Sequence, residues 1–71
     1  MNNERCIECV RLRRTVAGAF EKVLKLMTAQ LEAFRSGEEY LFARLEEAVQ
    51  TAVREKEQAT KVLRQHQDRH T

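Results

Sequence analysis

The residues best suited to bind a metal ion lie at the two ends of this sequence. Its two cysteines are Cys6 and Cys9, and its two histidines are His66 and His70. On helices, spacings of three and four residues place each pair on one helical face. Zn²⁺ is bound by four nitrogen or sulfur ligands in a tetrahedral arrangement. If the two ends of the chain meet, these four side chains form one zinc site.

The composition and the spacing of apolar residues predict that helices carry these side chains. The chain has 71 residues, no proline and many strong helix formers, which is typical of one small helical domain. Seam residues recur at alternating intervals of three and four, as in coiled-coil heptads. In the first half the predicted seam is Cys6, Cys9, Arg13, Val16, Phe20, Val23, Met27, Gln30 and Phe34. In the second half it is Phe42, Leu45, Val49, Ala52, Lys56, Ala59, Leu63, His66 and His70.

The middle of the chain predicts a reversal of direction. Ser36 is a preferred N-cap residue, Glu39 completes a capping box, and Gly37 supplies backbone freedom. We therefore predict an all-α, coiled-coil-like antiparallel two-helix hairpin as one domain. The predicted boundaries are helix 3–35, turn 35–37 and helix 37–69 within domain 1–71. The alternative is one continuous helix that pairs antiparallel with a second copy, because a Ser-Gly step inside a helix costs only about 1 kcal/mol.

Folding the hairpin at its predicted turn brings the two ends into register. Residues that face each other across antiparallel helices have numbers with a constant sum, and the central apolar pairs give sums of 75 or 76. The same register places Cys9 opposite His66 and Cys6 opposite His70. With Asn3 or Asn2 as the helix N-cap, Cys6 lies in the first helical turn.

Four protein ligands predict a structural Zn²⁺ site, one per chain, because no coordination position remains open for a substrate. Three alternatives remain. In the first, the cysteines serve only as small hydrophobic residues in the seam, and the histidines lie in a frayed C-terminal end. The Cys-x-x-Cys pair is a thiol redox motif, although its usual βαβ context is missing. The site binds another soft transition metal.

Composition and charge favour a cytoplasmic location without nucleic acid. The longest apolar run is too short to span a bilayer, and no signal-peptide pattern follows Met1. A reducing compartment favours metal-bound over disulfide-bonded cysteines. The net charge is +2, with basic ends and an acidic middle, and no groove-reading motif or interleaved aromatic residue accompanies the basic ends.

The apolar arc of the first helix is wider than one partner helix covers. Leu12, Leu24, Leu26 and Leu31 flank the predicted seam. A long exposed apolar stripe is typical of an association surface. We therefore predict a homodimer that forms a four-helix bundle, with a different protein as the alternative partner.

These patterns favour a non-enzymatic function. The sequence has no Gly-rich phosphate loop and no Ser-His-Asp set. We predict a zinc-stabilised interaction or scaffold module in which the metal links the two ends of the chain. The alternatives are a zinc sensor or metal-carrying regulatory protein, and a thiol redox protein that uses Cys6 and Cys9.

Overall fold

The computed structural model describes residues 6–69 as two antiparallel α-helices joined by a tight turn. Helix α1 is Ile7–Arg35 and helix α2 is Glu39–Arg69. The molecule is 51 Å long and 16 by 12 Å across. The predicted all-α hairpin is confirmed, and the alternative of a continuous helix is wrong. Over the described part of the chain, neither helix has an apolar stretch long enough to cross a bilayer.

The seam of α2 agrees with the prediction, whereas that of α1 is rotated. In α2 the predicted seam positions from Phe42 to His66 are all at least partly buried. In α1 the predicted positions Phe20, Met27 and Phe34 are 47%, 50% and 68% exposed, while Ala33 is only 2% exposed. The neighbouring heptad column is therefore the second seam column of α1. It consists of Leu12, Ala19, Leu26 and Ala33, each buried or partly buried.

Small side chains explain this rotation. Ala33 in α1 and Ala52 in α2 are almost completely buried. An alanine at a helix contact lets the two backbones approach closely, whereas a phenylalanine keeps them apart. The aromatic side chains lie instead at one edge of the contact. There the rings of Phe34 and Phe42 are 5.7 Å apart, as the predicted register requires, and Lys56 Nζ lies 5.2 Å from the Phe20 ring centroid.

The turn is a helix C-cap built around Gly37, not the predicted capping box. Ser36 is the C-cap of α1 and does not cap α2, which begins at Glu39. Gly37 has a φ of 73°. Its N–H donates to the Phe34 carbonyl at 3.2 Å, and the next N–H donates to the Ala33 carbonyl at 2.9 Å. These two bonds form a Schellman motif, which satisfies the last carbonyls of α1.

The start of α1 also differs from the prediction. The helix begins at Ile7, and Cys6 is its N-cap residue instead of lying in its first turn. The predicted caps Asn2 and Asn3 lie outside the described residues. The sulfur of Cys6 takes the place of the oxygen that a capping side chain usually provides.

The Gly37→Ala variant is expected to lower the free energy of unfolding by about 1–2 kcal/mol, because a Cβ disfavours the left-handed conformation. Gly18→Ala is the matched control, since it lies inside α1 and an added Cβ meets nothing within 4 Å. It should raise the free energy of unfolding by up to about 1 kcal/mol. Urea denaturation measures both changes. A neutral Gly37→Ala variant would contradict the assigned turn.

Candidate metal centre

The start of α1 fixes the positions of both sulfur atoms. Cys6 has an extended backbone, with φ −86° and ψ 108°, and its Sγ accepts a hydrogen bond from the Cys9 N–H at 3.2 Å. Its carbonyl accepts the Val10 N–H at 3.1 Å. The partial positive charge of the helix N-terminus lies beside the Cys6 sulfur and favours a thiolate there.

The Cys9 side chain points into the contact between the helices and is 1% exposed. The pKa of its thiol is raised above the ordinary value of 9.0, chiefly by the hydrogen bond with the Cys6 side chain and then by burial. The negative charge of Cys6 raises this pKa further, while Arg13 acts in the opposite direction. Without a metal, Cys9 is therefore protonated at neutral pH, and metal binding must displace that proton.

The third side chain of the site comes from the other end of the chain. His66 lies near the end of α2, and its Nε2 is 3.2 Å from Cys6 Sγ across a separation of 60 residues. The Cys6, Cys9 and His66 ligand atoms all lie within 4.8 Å of one another. The structure therefore joins the N-terminal end to helix α2 through three groups that can hold a metal ion.

The geometry of this group fits a soft divalent ion. In an ideal tetrahedral zinc site, a sulfur and a nitrogen ligand are about 3.6 Å apart, given Zn–S of about 2.3 Å and Zn–N of about 2.05 Å. The Cys6–His66 pair, at 3.2 Å, needs to open by only about 0.4 Å to reach that distance. Two thiolates would neutralise the charge of a divalent ion, and the imidazole would add a neutral ligand.

Three of the four predicted ligands are thus brought together. The predicted proximity of Cys9 and His66 agrees with the structure. The proximity of Cys6 and His66 also agrees with the prediction of one shared site, although Cys6 lies before the first helical turn and not within it. The predicted fourth ligand, His70, and its pairing with Cys6 lie outside the described residues.

The site does not favour the alternative of terminal fraying at His66. Helix α2 continues through Arg69, so His66 is held in a regular helix.

The predicted interface residues divide into two pairs. Leu24 is 62% exposed and Leu31 is 47% exposed, whereas Leu12 and Leu26 are partly buried in the seam column of Ala33. The rotation of α1 also moves Phe20, Met27 and Phe34 out of the seam, so these residues lie exposed beside Leu24 and Leu31. We define the α1 apolar face as Phe20, Leu24, Met27, Leu31 and Phe34.

The sequence did not predict that Phe20, Met27 and Phe34 belong to this face. The available signal was the alternation of leucine and alanine in the neighbouring column, Leu12, Ala19, Leu26 and Ala33. Alternating large and small residues are suited to a close helix contact. Large residues throughout one column, as at Phe20, Met27 and Phe34, are better suited to the edge.

The chain matches no known protein-family model, no curated protein and no solved structure. Its function must therefore be inferred from the metal-ligating group and the exposed surface.

Proposed function

We propose that this protein is a non-enzymatic interaction module, a helical hairpin whose open end is held together by one structural Zn²⁺ per chain. The observation that carries the proposal is the convergence of Cys6, Cys9 and His66 within 4.8 Å. The stabilised hairpin presents the α1 apolar face to a second copy of the chain, forming a homodimeric four-helix bundle.

A metal at this end has a clear physical role. The Gly37 turn holds the helices together at one end, and the other end lies roughly 45 Å away along helices of about 30 residues. Helix ends without further contacts fray. A metal that joins Cys6 to His66 closes a loop of about 60 residues, which restricts the unfolded chain as a long-range cross-link does.

Zinc is the metal that best suits this ligand set. Thiolate and imidazole ligands in a tetrahedral arrangement are typical of structural zinc sites. We propose His70 as the fourth ligand, since it is four residues after His66 in the sequence, a spacing suited to two ligands on one side. Four protein ligands leave no open position, which supports a structural over a catalytic role. A reducing cytoplasm would keep both thiols available for the metal.

Elemental analysis of the purified protein tests the zinc site. We expect one zinc per chain in the natural sequence and less than about a tenth of that in Cys9→Ser and His66→Ala, because each variant removes a ligand. Gln65→Ala changes the exposed neighbour of His66 and serves as the matched control with full zinc content. Unchanged zinc content in Cys9→Ser or His66→Ala would refute the site. Unchanged zinc content in His70→Ala would show that His70 is not a ligand and that water takes the fourth position.

A zinc sensor is the second candidate, and the partial exposure of Cys6 and His66 favours it. Two ligands that solvent reaches allow the ion to exchange with its surroundings. The dissociation constant separates the two functions. A structural site retains zinc through dialysis against buffer without metal, whereas a sensor loses it and regains it on addition of zinc.

A further inference from the structure

The α1 apolar face is symmetric about its central residue. Phe20 lies seven residues before Met27, and Phe34 lies seven residues after it. Leu24 and Leu31 lie between them, three residues before and four residues after the centre. The face covers about 21 Å of helix, and each of its side chains is at least 47% exposed.

Such a pattern is self-complementary in an antiparallel pair. If α1 packs on α1 of a second copy with a two-fold axis at Met27, each Phe20 meets Phe34 of the second copy. Each Leu24 then meets Leu31 of the second copy, and the two Met27 side chains meet on the axis. A contact in which residue i meets j, and j meets i, is what a two-fold symmetric dimer requires.

The charge on this side of the hairpin distinguishes an antiparallel from a parallel pair. A groove at the turn end contains both Phe34 and Phe42, with Glu38 and Glu39 on its rim. A second groove, toward the open end, has a basic rim around Phe20. Its lining consists of Phe20, Lys56, Glu57, Thr60, Lys61 and Arg64.

We propose that two copies of the chain pair antiparallel through the α1 apolar face, with the acidic groove of each copy over the basic groove of the other. The proposal rests on the homodimer of the proposed function and adds its orientation. A parallel pair would place like charges together at both ends, which is unfavourable. The antiparallel dimer carries its two candidate metal centres at opposite ends of the bundle.

This arrangement places two equivalent pairs of opposite charges in contact between copies, related by the two-fold axis. Val49 lies at the same height as Met27 along the hairpin, in the register that the Phe34–Phe42 contact sets. Helix α2 therefore pairs with α2 of the second copy about Val49, and Glu38 lies beside Lys61 of the second copy. Within one chain Glu38 directly precedes α2 and lies 23 positions before Lys61, or about 34 Å away. Any direct coupling between them must therefore arise between copies.

A charge-reversal cycle tests the orientation. At low ionic strength, Glu38→Lys and Lys61→Glu are each expected to raise the dimer dissociation constant about two- to fivefold, as exposed ion pairs do. The double variant restores the opposite charges and should return to within about twofold of the natural protein. Sedimentation equilibrium measures the dissociation constant, and circular dichroism checks that helicity is retained.

A substitution on the axis tests the surface independently. Met27→Glu brings two carboxylates together on the axis and should raise the dissociation constant at least about 100-fold. Its zinc content and helicity should not change, because Met27 is half exposed in the single chain. Gln58→Glu makes the same charge change at an exposed position of α2 and is the control, with unchanged dimerisation.

The outcomes separate this inference from the proposed function. A dimer that Met27→Glu disrupts, but whose charge reversals are not coupled, would overturn the antiparallel orientation and leave the homodimeric module intact. A chain that stays monomeric at millimolar concentration while binding one zinc would overturn the homodimer and its orientation, but not the zinc site. Dimerisation that survives Met27→Glu would overturn the assignment of the α1 apolar face.

Discussion

Removal of zinc by a strong chelator is expected to lower the free energy of unfolding by about 4 kcal/mol, relative to protein with free zinc 1,000-fold above the dissociation constant. The reason is that the ion binds the folded site, where Cys6, Cys9 and His66 are already within 4.8 Å, and binds the open chain weakly. Urea denaturation followed by circular dichroism, at one fixed protein concentration, measures the difference.

The His66→Ala variant provides the control for this experiment. Its stability should be independent of zinc, because the variant loses one of the ligands and binds little of the ion. Hydrogen exchange should localise the effect in the natural protein, with added protection at the first turns of α1 and the last turns of α2 and none near Gly37. Equal stability of the chelated and zinc-loaded protein would contradict a structural metal.

The small core makes the expected zinc effect a large fraction of the total stability. Among residues 6–69, the buried hydrophobic side chains are Cys9, Val23, Ala33 and Ala52, and two of these are alanines. A domain of this size obtains only a few kcal/mol from such a core and is commonly stabilised by a metal, a disulfide or a partner subunit. The contributions of zinc at the open end and of a second copy on the α1 apolar face to the free energy of unfolding would therefore add.

The hairpin could be predicted from the sequence because its strongest signals are local and agree. The chain lacks proline, its seam residues keep a heptad spacing over both halves, and Gly37 lies near its midpoint. The cap was mispredicted because Ser36 and Glu39 also fit a capping box. The observed turn prevails because Gly37 is free to adopt the left-handed conformation that the Schellman motif requires.

The exact face of α1 could not be predicted because three neighbouring heptad columns are all largely apolar. Periodicity gives the width of an apolar arc but not the direction in which α2 lies. That direction depends on shape, since the alanines at positions 19 and 33 allow a closer approach than Phe20 and Phe34 do. The consequence is functional, because the aromatic residues that leave the seam become part of the α1 apolar face.

The candidate site could be predicted from the sequence because the pairing register of the two helices could be predicted. Counting outward from the turn is enough to bring Cys9 near His66, because two regular helices preserve the register along their whole length. Cys6 was predicted as a ligand, but its position as the N-cap of α1 was not predictable in the same way. It depends on the residue at which α1 begins, and the N–H of Cys9 bonded to the Cys6 sulfur fixes that start.

The sign of the pH dependence is expected to reverse when zinc is removed. In the metal-free protein the pKa of Cys9 is raised above 9.0, first by the hydrogen bond with Cys6 and then by burial. A thiol whose pKa is higher in the folded than in the unfolded state stabilises the fold below the unfolded pKa. This contribution is lost as the pH rises through the folded pKa. The metal-free protein should therefore lose stability above about pH 9 and show no thiol-dependent change between pH 7 and 8.

The zinc-bound protein should behave in the opposite way, because binding requires two thiolates and a neutral imidazole. Between about pH 7 and pH 7.5, below the usual pKa of a thiol, up to two thiol protons are released for each ion bound, so the apparent affinity should rise by up to about 100-fold per pH unit. Competition with a chromophoric chelator across this range measures the slope. In Cys9→Ser one thiol proton remains, and the slope should fall to about tenfold per pH unit. A slope that is the same with and without Cys9 would show that this buried thiol does not bind the metal.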